Sequence, residues 1–301
     1  MEGWNLLFWG LFAALTALAL MPLQLIDVLP LRDLPLHLHM ASAWSGWAES
    51  PLLQAHYLRP DVLVPGELWY RLASALAHIG GLEWAARLLL SLSVALLPLS
   101  ALHLLRALGH SRWLVFGVFA WLLGGDLFAG ALPWLLALPL LLWLFTAHIG
   151  LHRRPGLRRA VLVSALFAAV VLAHPLAGLV ALVVLPTVGA VAGAHNGWRR
   201  ALLWPLREAV LCLPALILSL PWLSETLIRI RLNGAEAPVA AVFSGAQLLS
   251  SADATHLTPM GAAAQIFSNM FNQFSGTSGE VGGLPELIMQ RPGELVSGLW
   301  L

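Results

Sequence analysis

The strongest constraint on this chain is a series of long apolar runs. Residues 6–26 contain no charged side chain, and a helix of about 20 such residues spans the hydrocarbon core of a bilayer. Further runs occupy residues 84–105, 113 to about 125, about 131 to 149, 160–173, 175–194 and 201–223. They predict an all-α polytopic membrane protein with about seven transmembrane helices. Residues 160–173 are short for a full crossing. Composition agrees, because only 10% of residues are charged while 59% are hydrophobic, against about 25% charged in soluble domains. Residues 1–5 carry no positive charge, so the first run reads as a retained helix rather than a cleaved signal. Many of the 14 tryptophans stand at the edges of the runs, where indole rings favour the membrane interface.

All 16 basic residues are arginine, and their placement predicts sidedness, since short cytoplasmic loops collect positive charge. Arg106 with Arg112, then Arg153, Arg154, Arg158 and Arg159, then Arg199, Arg200 and Arg207 mark three cytoplasmic connections. The N-terminus is then cytoplasmic and the C-terminal tail extracytoplasmic. Carboxylates follow the opposite rule, with Asp27, Asp33, Glu49, Asp61, Glu67, Glu83, Asp126 and Glu225 outside. A net charge of +1 excludes a basic stripe for nucleic acid. The one cysteine, Cys212, excludes a disulfide framework or a thiolate metal cage.

Two units follow: a transmembrane module over 1–223, with a long outer loop at 27–83, and a polar extracytoplasmic tail over 224–301. In the outer loop, residues 34–48 open on Asp33 as a helix cap with Pro35 in the first turn. Residues 68–79 set Leu68, Leu72, Ala75, Leu76 and Ile79 on one side. Both suit helices lying along the membrane surface; an eighth span over 62–79 is the competing reading. In the tail, residues 259–275 repeat apolar side chains at helical spacing.

Three groups could carry chemistry. Asp33 and His37 are four residues apart, one turn of helix, where the first run leaves the membrane. A partly desolvated carboxylate there could serve as a general base; a helix cap beside a hydrated histidine would give the same spacing. Asp126 sits in Gly124-Gly125-Asp126 at a hairpin turn, and His174 precedes Pro175 at the next outer turn. Ordinary turn residues would explain both, but their recurrence at one membrane depth favours a site. His103, His110, His148, His152 and His195 read as interface residues near cytoplasmic helix ends. No paired-histidine or HExxH spacing supports a metal at these three groups, and the chain shows no phosphate-binding loop and no internal repeat of the kind transporters use.

The segment Asp33-Leu34-Pro35-Leu36-His37 after the first helix, the turn Leu127-Phe128-Ala129-Gly130-Ala131-Leu132-Pro133-Trp134 and the turn Ala173-His174-Pro175-Leu176-Ala177 resemble segments of the GT-C superfamily of polytopic glycosyltransferases. The resemblance covers roughly residues 6–223. It implies a multi-pass protein of a bacterial inner membrane that works on the cell envelope, transferring a sugar from a polyprenyl-phosphate donor to an extracytoplasmic acceptor by inverting displacement. Carried over, Asp33 would be the catalytic base and Asp126 the second-loop acid. Asp33 and Asp126 would hold a divalent cation, Mg or Mn, if one is used; this chain has one second-loop carboxylate where metal-dependent relatives have a pair. Arg32, His37, Arg59, Arg71, Arg87 and His174 would bind the substrate phosphate. The expected partners are membrane lipids and the polyprenyl-phosphate sugar, together with a protein partner or a further C-terminal portion that closes the site. The alternative is a non-catalytic membrane subunit or scaffold of a larger complex.

Overall fold

The computed structural model describes residues 2–26, 29, 31–56, 63–122, 127, 130–194, 207–221 and 224. The tail and its expected helix at 259–275 therefore lie outside the described residues, as do Arg59 and Asp126. The described chain is helical, with no strand among these residues. Three helices are long and apolar enough to cross a membrane: Gly3–Leu25, Leu82–Leu108 and Leu132–Arg153. Two shorter apolar helical stretches, Arg112–Leu122 and Pro175–Ala190, fall below a full span.

In order, the helices are α1 (Glu2–Leu25), α2 (Leu34–Gly46), α3 (Pro51–His56), α4 (Leu68–Gly80), α5 (Leu82–Leu108), α6 (Phe116–Leu122), α7 (Leu132–Arg153), α8 (Leu157–Ala173) and α9 (Pro175–Ala194), followed by a helix over 207–221, here α10. Prolines open α7 and α9, where a missing N–H costs nothing. Gly109, left-handed at φ 75°, closes α5, its N–H donating to Leu105 and Arg106 carbonyls.

Contacts at both ends fix the relative direction of α1 and α5. Arg87 Nη1 donates to the carbonyls of Leu23 and Ile26, capping the C-terminal end of α1. At the other end Arg112 lies over Phe8 and Arg106 over Trp9, so α1 and α5 run antiparallel. Leu89 and Leu90 near the start of α5 share a cluster with Leu132 and Leu135 near the start of α7, and further along both helices Trp143 Nε1 donates to His103 Nδ1 at 3.1 Å, so α7 runs parallel to α5. The bundle thus has a Gly130–Asp33 end and an Arg106–Arg112 end. Apolar side chains also cover its outside, with Leu6, Leu162, Val183 and Ile217 at least half exposed. Lipid is the solvent that makes such a surface tolerable.

The helices between α1 and α5 pack on each other through polar as well as apolar contacts. Helix α4 buries Trp69, Tyr70, Ala73 and Ser74, whereas Leu72 and Ile79 of the expected apolar stripe are exposed. Partners decide this, because Ser74 Oγ donates to the Ala41 carbonyl and Tyr70 meets His37, so the polar atoms of the buried face are satisfied. Asp33 occupies the N-cap position of α2, yet its side chain makes no capping hydrogen bond. Its carboxylate instead pairs with Arg32 at 3.1 Å.

Candidate functional site

Asp33 and His37 meet as the spacing requires, with the His37 N–H donating to the Asp33 carbonyl at 3.1 Å. The Asp33 side chain remains 38% exposed at the mouth of the site. His37 does not sit in headgroup water. It is buried, hydrogen-bonded through Nδ1 to Tyr70 Oη at 2.8 Å, with the Trp69 ring tilted against it at 5.7 Å between centroids. Burial depresses its pKa, with the Asp33 charge opposing the shift, and burial raises the Tyr70 hydroxyl to about 12. At neutral pH this is a neutral imidazole and a neutral phenol sharing one proton donor.

His174 reaches the same region from the α8–α9 turn. Pro175 forces it out of the helix, and it is extended at φ −158°, ψ 123°. The Trp134 ring lies edge-on at 5.2 Å between centroids. Among the described residues its buried Nδ1 has no hydrogen-bond partner. Burial lowers its pKa to about 4, with the His37 charge acting in the same direction.

Two glycines permit this convergence. Gly130, at φ +76°, leaves room where a Cβ would stand 3.1 Å from the Asp33 backbone nitrogen and 3.1 Å from Leu31 Cβ. Gly66, at φ +91°, lies against Pro175 and donates its N–H to the Val171 carbonyl. A Gly130→Val variant combines a left-handed β-branched residue with a clash against backbone that cannot yield, together about 2–5 kcal/mol. The unfolding midpoint in detergent should fall accordingly; an unchanged midpoint would refute this packing.

The other expected phosphate ligands are placed differently. Arg71 Nε is held by Glu67 Oε1 at 2.6 Å, with its guanidinium 5.0 Å from the Trp44 ring centre, so its charge is matched within the protein. Arg87 is committed to the end of α1. Arg32, 77% exposed beside Asp33, keeps a position suited to a phosphate. Tyr70, Trp69 and Trp134 were not singled out from sequence. Only the Glu67–Arg71 pair carried a signal, in its spacing of four.

Asp126, the second residue expected to hold a divalent cation with Asp33, lies outside the described residues. Asp33 Oδ1 is taken by a guanidinium, and the one grouping of three potential metal ligands among the described residues lies elsewhere.

The two histidines make stability depend on pH. A folded-state pKa near 4 for His174 against about 6.5 unfolded means that the unfolded chain binds more protons between those values. Stability is complete above about pH 6.5 and falls as pH drops toward 4, by on the order of 3 kcal/mol for His174. His37 adds in the same sense. Unfolding midpoints measured across this range should fall with acid, and His174→Gln should flatten the slope; an equal slope in that variant would remove His174 as the cause.

Comparison with protein-family models, curated proteins and solved structures gave no match to this chain.

Proposed function

We propose that the chain is a GT-C-type glycosyltransferase of the inner membrane, with about seven spans, a cytoplasmic N-terminus and its Asp33 end facing the extracytoplasmic side. The observation that carries the reading is the convergence of the first loop and the two later turns, with Asp33 at the mouth and His37, Tyr70 and His174 behind it. The donor is a polyprenyl-phosphate sugar entering from the lipid.

In the reaction, the acceptor hydroxyl oxygen attacks the anomeric carbon as its proton passes to the Asp33 carboxylate. The bond from that carbon to the phosphate oxygen breaks, and polyprenyl phosphate leaves with the electron pair. Arg32 stands where it could meet the phosphate charge, and Asp126 belongs to the reading through the resemblance of its turn. The buried imidazole and phenol hold the start of α2 rigid, so that the base is positioned before substrate arrives.

The test is a panel of polyprenyl-phosphate sugars supplied to vesicles containing the full chain, with sugar transfer followed by radiolabel. Formation of a product of inverted anomeric configuration supports the proposal. Absence of transfer from every donor, or retention of configuration, sinks it.

A further inference from the structure

A second cluster lies toward the opposite end of the bundle. His148 is sixteen residues along α7 from Leu132, about 24 Å at 1.5 Å per residue. The expectation that His148 and His152 are interface residues is only half right. They are near a helix end, but His148 is 2% exposed and packs against Glu208 of α10, itself 1% exposed.

The geometry is that of a ligand set. His148 and His152 stand four apart on one helix face, with ring centroids 4.3 Å apart and their Nε2 atoms 2.8 Å from each other. Glu208 approaches from the facing helix, with Oε1 3.5 Å from His152 Nε2 and Oε2 3.3 Å from His148 Nδ1. One potential ligand atom from each residue lies within 4.8 Å of the other two. Four ligands at zinc–nitrogen distances of about 2.0–2.1 Å sit about 3.3 Å apart at tetrahedral angles. The observed 2.8 Å and 3.5 Å edges bracket that value.

The burial of the carboxylate needs an answer. Among the described residues neither Glu208 oxygen has a hydrogen bond; the imidazoles beside it match its charge only when protonated, and a buried carboxylate whose charge is unmatched is costly. Two neutral imidazoles meeting Nε2 to Nε2 can place only one proton between them. A dication accepts a lone pair from each Nε2 and one from the carboxylate, satisfying all three groups.

We propose that His148, His152 and Glu208 bind a divalent transition-metal ion, with zinc as the type case. Two imidazoles and one carboxylate select zinc, cobalt or nickel over magnesium and calcium, which prefer oxygen ligands alone. Three protein ligands leave a fourth position open. The ion would clip α7 to α10, beside the Ser164 Oγ hydrogen bond to the Leu211 carbonyl that already ties α8 to α10. Arg207, next in the chain to Glu208, carries a positive charge that opposes the ion and holds affinity below that of a four-ligand structural site.

The full chain, purified without a histidine tag, stripped with chelator in detergent and dialysed against zinc, should retain one zinc equivalent and melt at a higher temperature. Magnesium should do neither. His148→Ala and Glu208→Gln should lose the bound zinc, while His110→Ala, at an exposed position, should keep it. Cobalt substitution of the unmutated chain supplies a reading independent of whether variants fold, because a low-coordinate cobalt site gives visible absorption bands. Absence of retained zinc and of cobalt bands in the unmutated chain, or zinc retained by both variants, overturns the proposal and leaves a proton-sharing His–His–Glu triad. Neither outcome bears on sugar transfer at the other end of the bundle.

Discussion

Asp33→Asn is expected to lower sugar transfer by about 10²–10⁴-fold, the usual contribution of a positioned general base. Asparagine keeps the size and the N-cap preference of aspartate, so α2 should still begin at Leu34. What is lost is the acceptor for the hydroxyl proton and the ion pair with Arg32. That pair is exposed and weak, with surface bridges contributing about 0–1 kcal/mol, so the melting temperature should change little. A rate loss at constant stability separates chemistry from folding. Full activity in Asp33→Asn would remove Asp33 as the base, and loss of both activity and stability would make it a structural residue.

The second large effect concerns packing. Trp69 is 1% exposed and belongs to the main apolar cluster with Ala41, Leu90 and Leu132. Truncating a buried tryptophan costs about 3–5 kcal/mol through lost contact and the cavity left behind. Trp69 also stands against both His37 and Tyr70, with ring centroids 5.7 Å and 5.4 Å away. Trp69→Ala should therefore lower the unfolding midpoint and let water reach His37, moving its pKa back toward 6.5. Proton NMR of the imidazole reads the second effect, and Trp69→Phe should give an intermediate result on both. A midpoint within error of the unmutated chain would show that α4 is not packed as described.

The membrane-capable helices were legible because each is a property of one continuous segment. Residues 6–26, 84–105 and 131–149 anticipated α1, α5 and α7 to within a few residues. The start of α2 at Leu34 and the extended His174 before Pro175 were legible for the same reason, since caps and prolines act on their neighbours. Side-chain partners were less so. His37 and Tyr70 lie on different helices, and nothing in either segment announces the other. The buried face of α4 includes Tyr70 and Ser74, which found hydrogen-bond partners on α2, while Leu68 and Leu76 of its apolar stripe pack at the core's edge and Leu72 and Ile79 stay exposed. The spacing of His148 and His152 was visible, but Glu208 sits three helices further along the chain and looked like one more residue of an arginine-rich loop.

Sequence by itself determined that this chain is helical and has segments suited to a bilayer, since low charge and long apolar runs leave the backbone no other way to satisfy its hydrogen bonds in lipid. It also restricted the chemistry to a short list of charged and imidazole groups. Tertiary structure decided which of that list are buried and with whom: His37 with Tyr70, and His148 and His152 with Glu208. The reason is energetic. A polar group can be buried only where a partner offsets its desolvation, and in a helical bundle that partner comes from another helix.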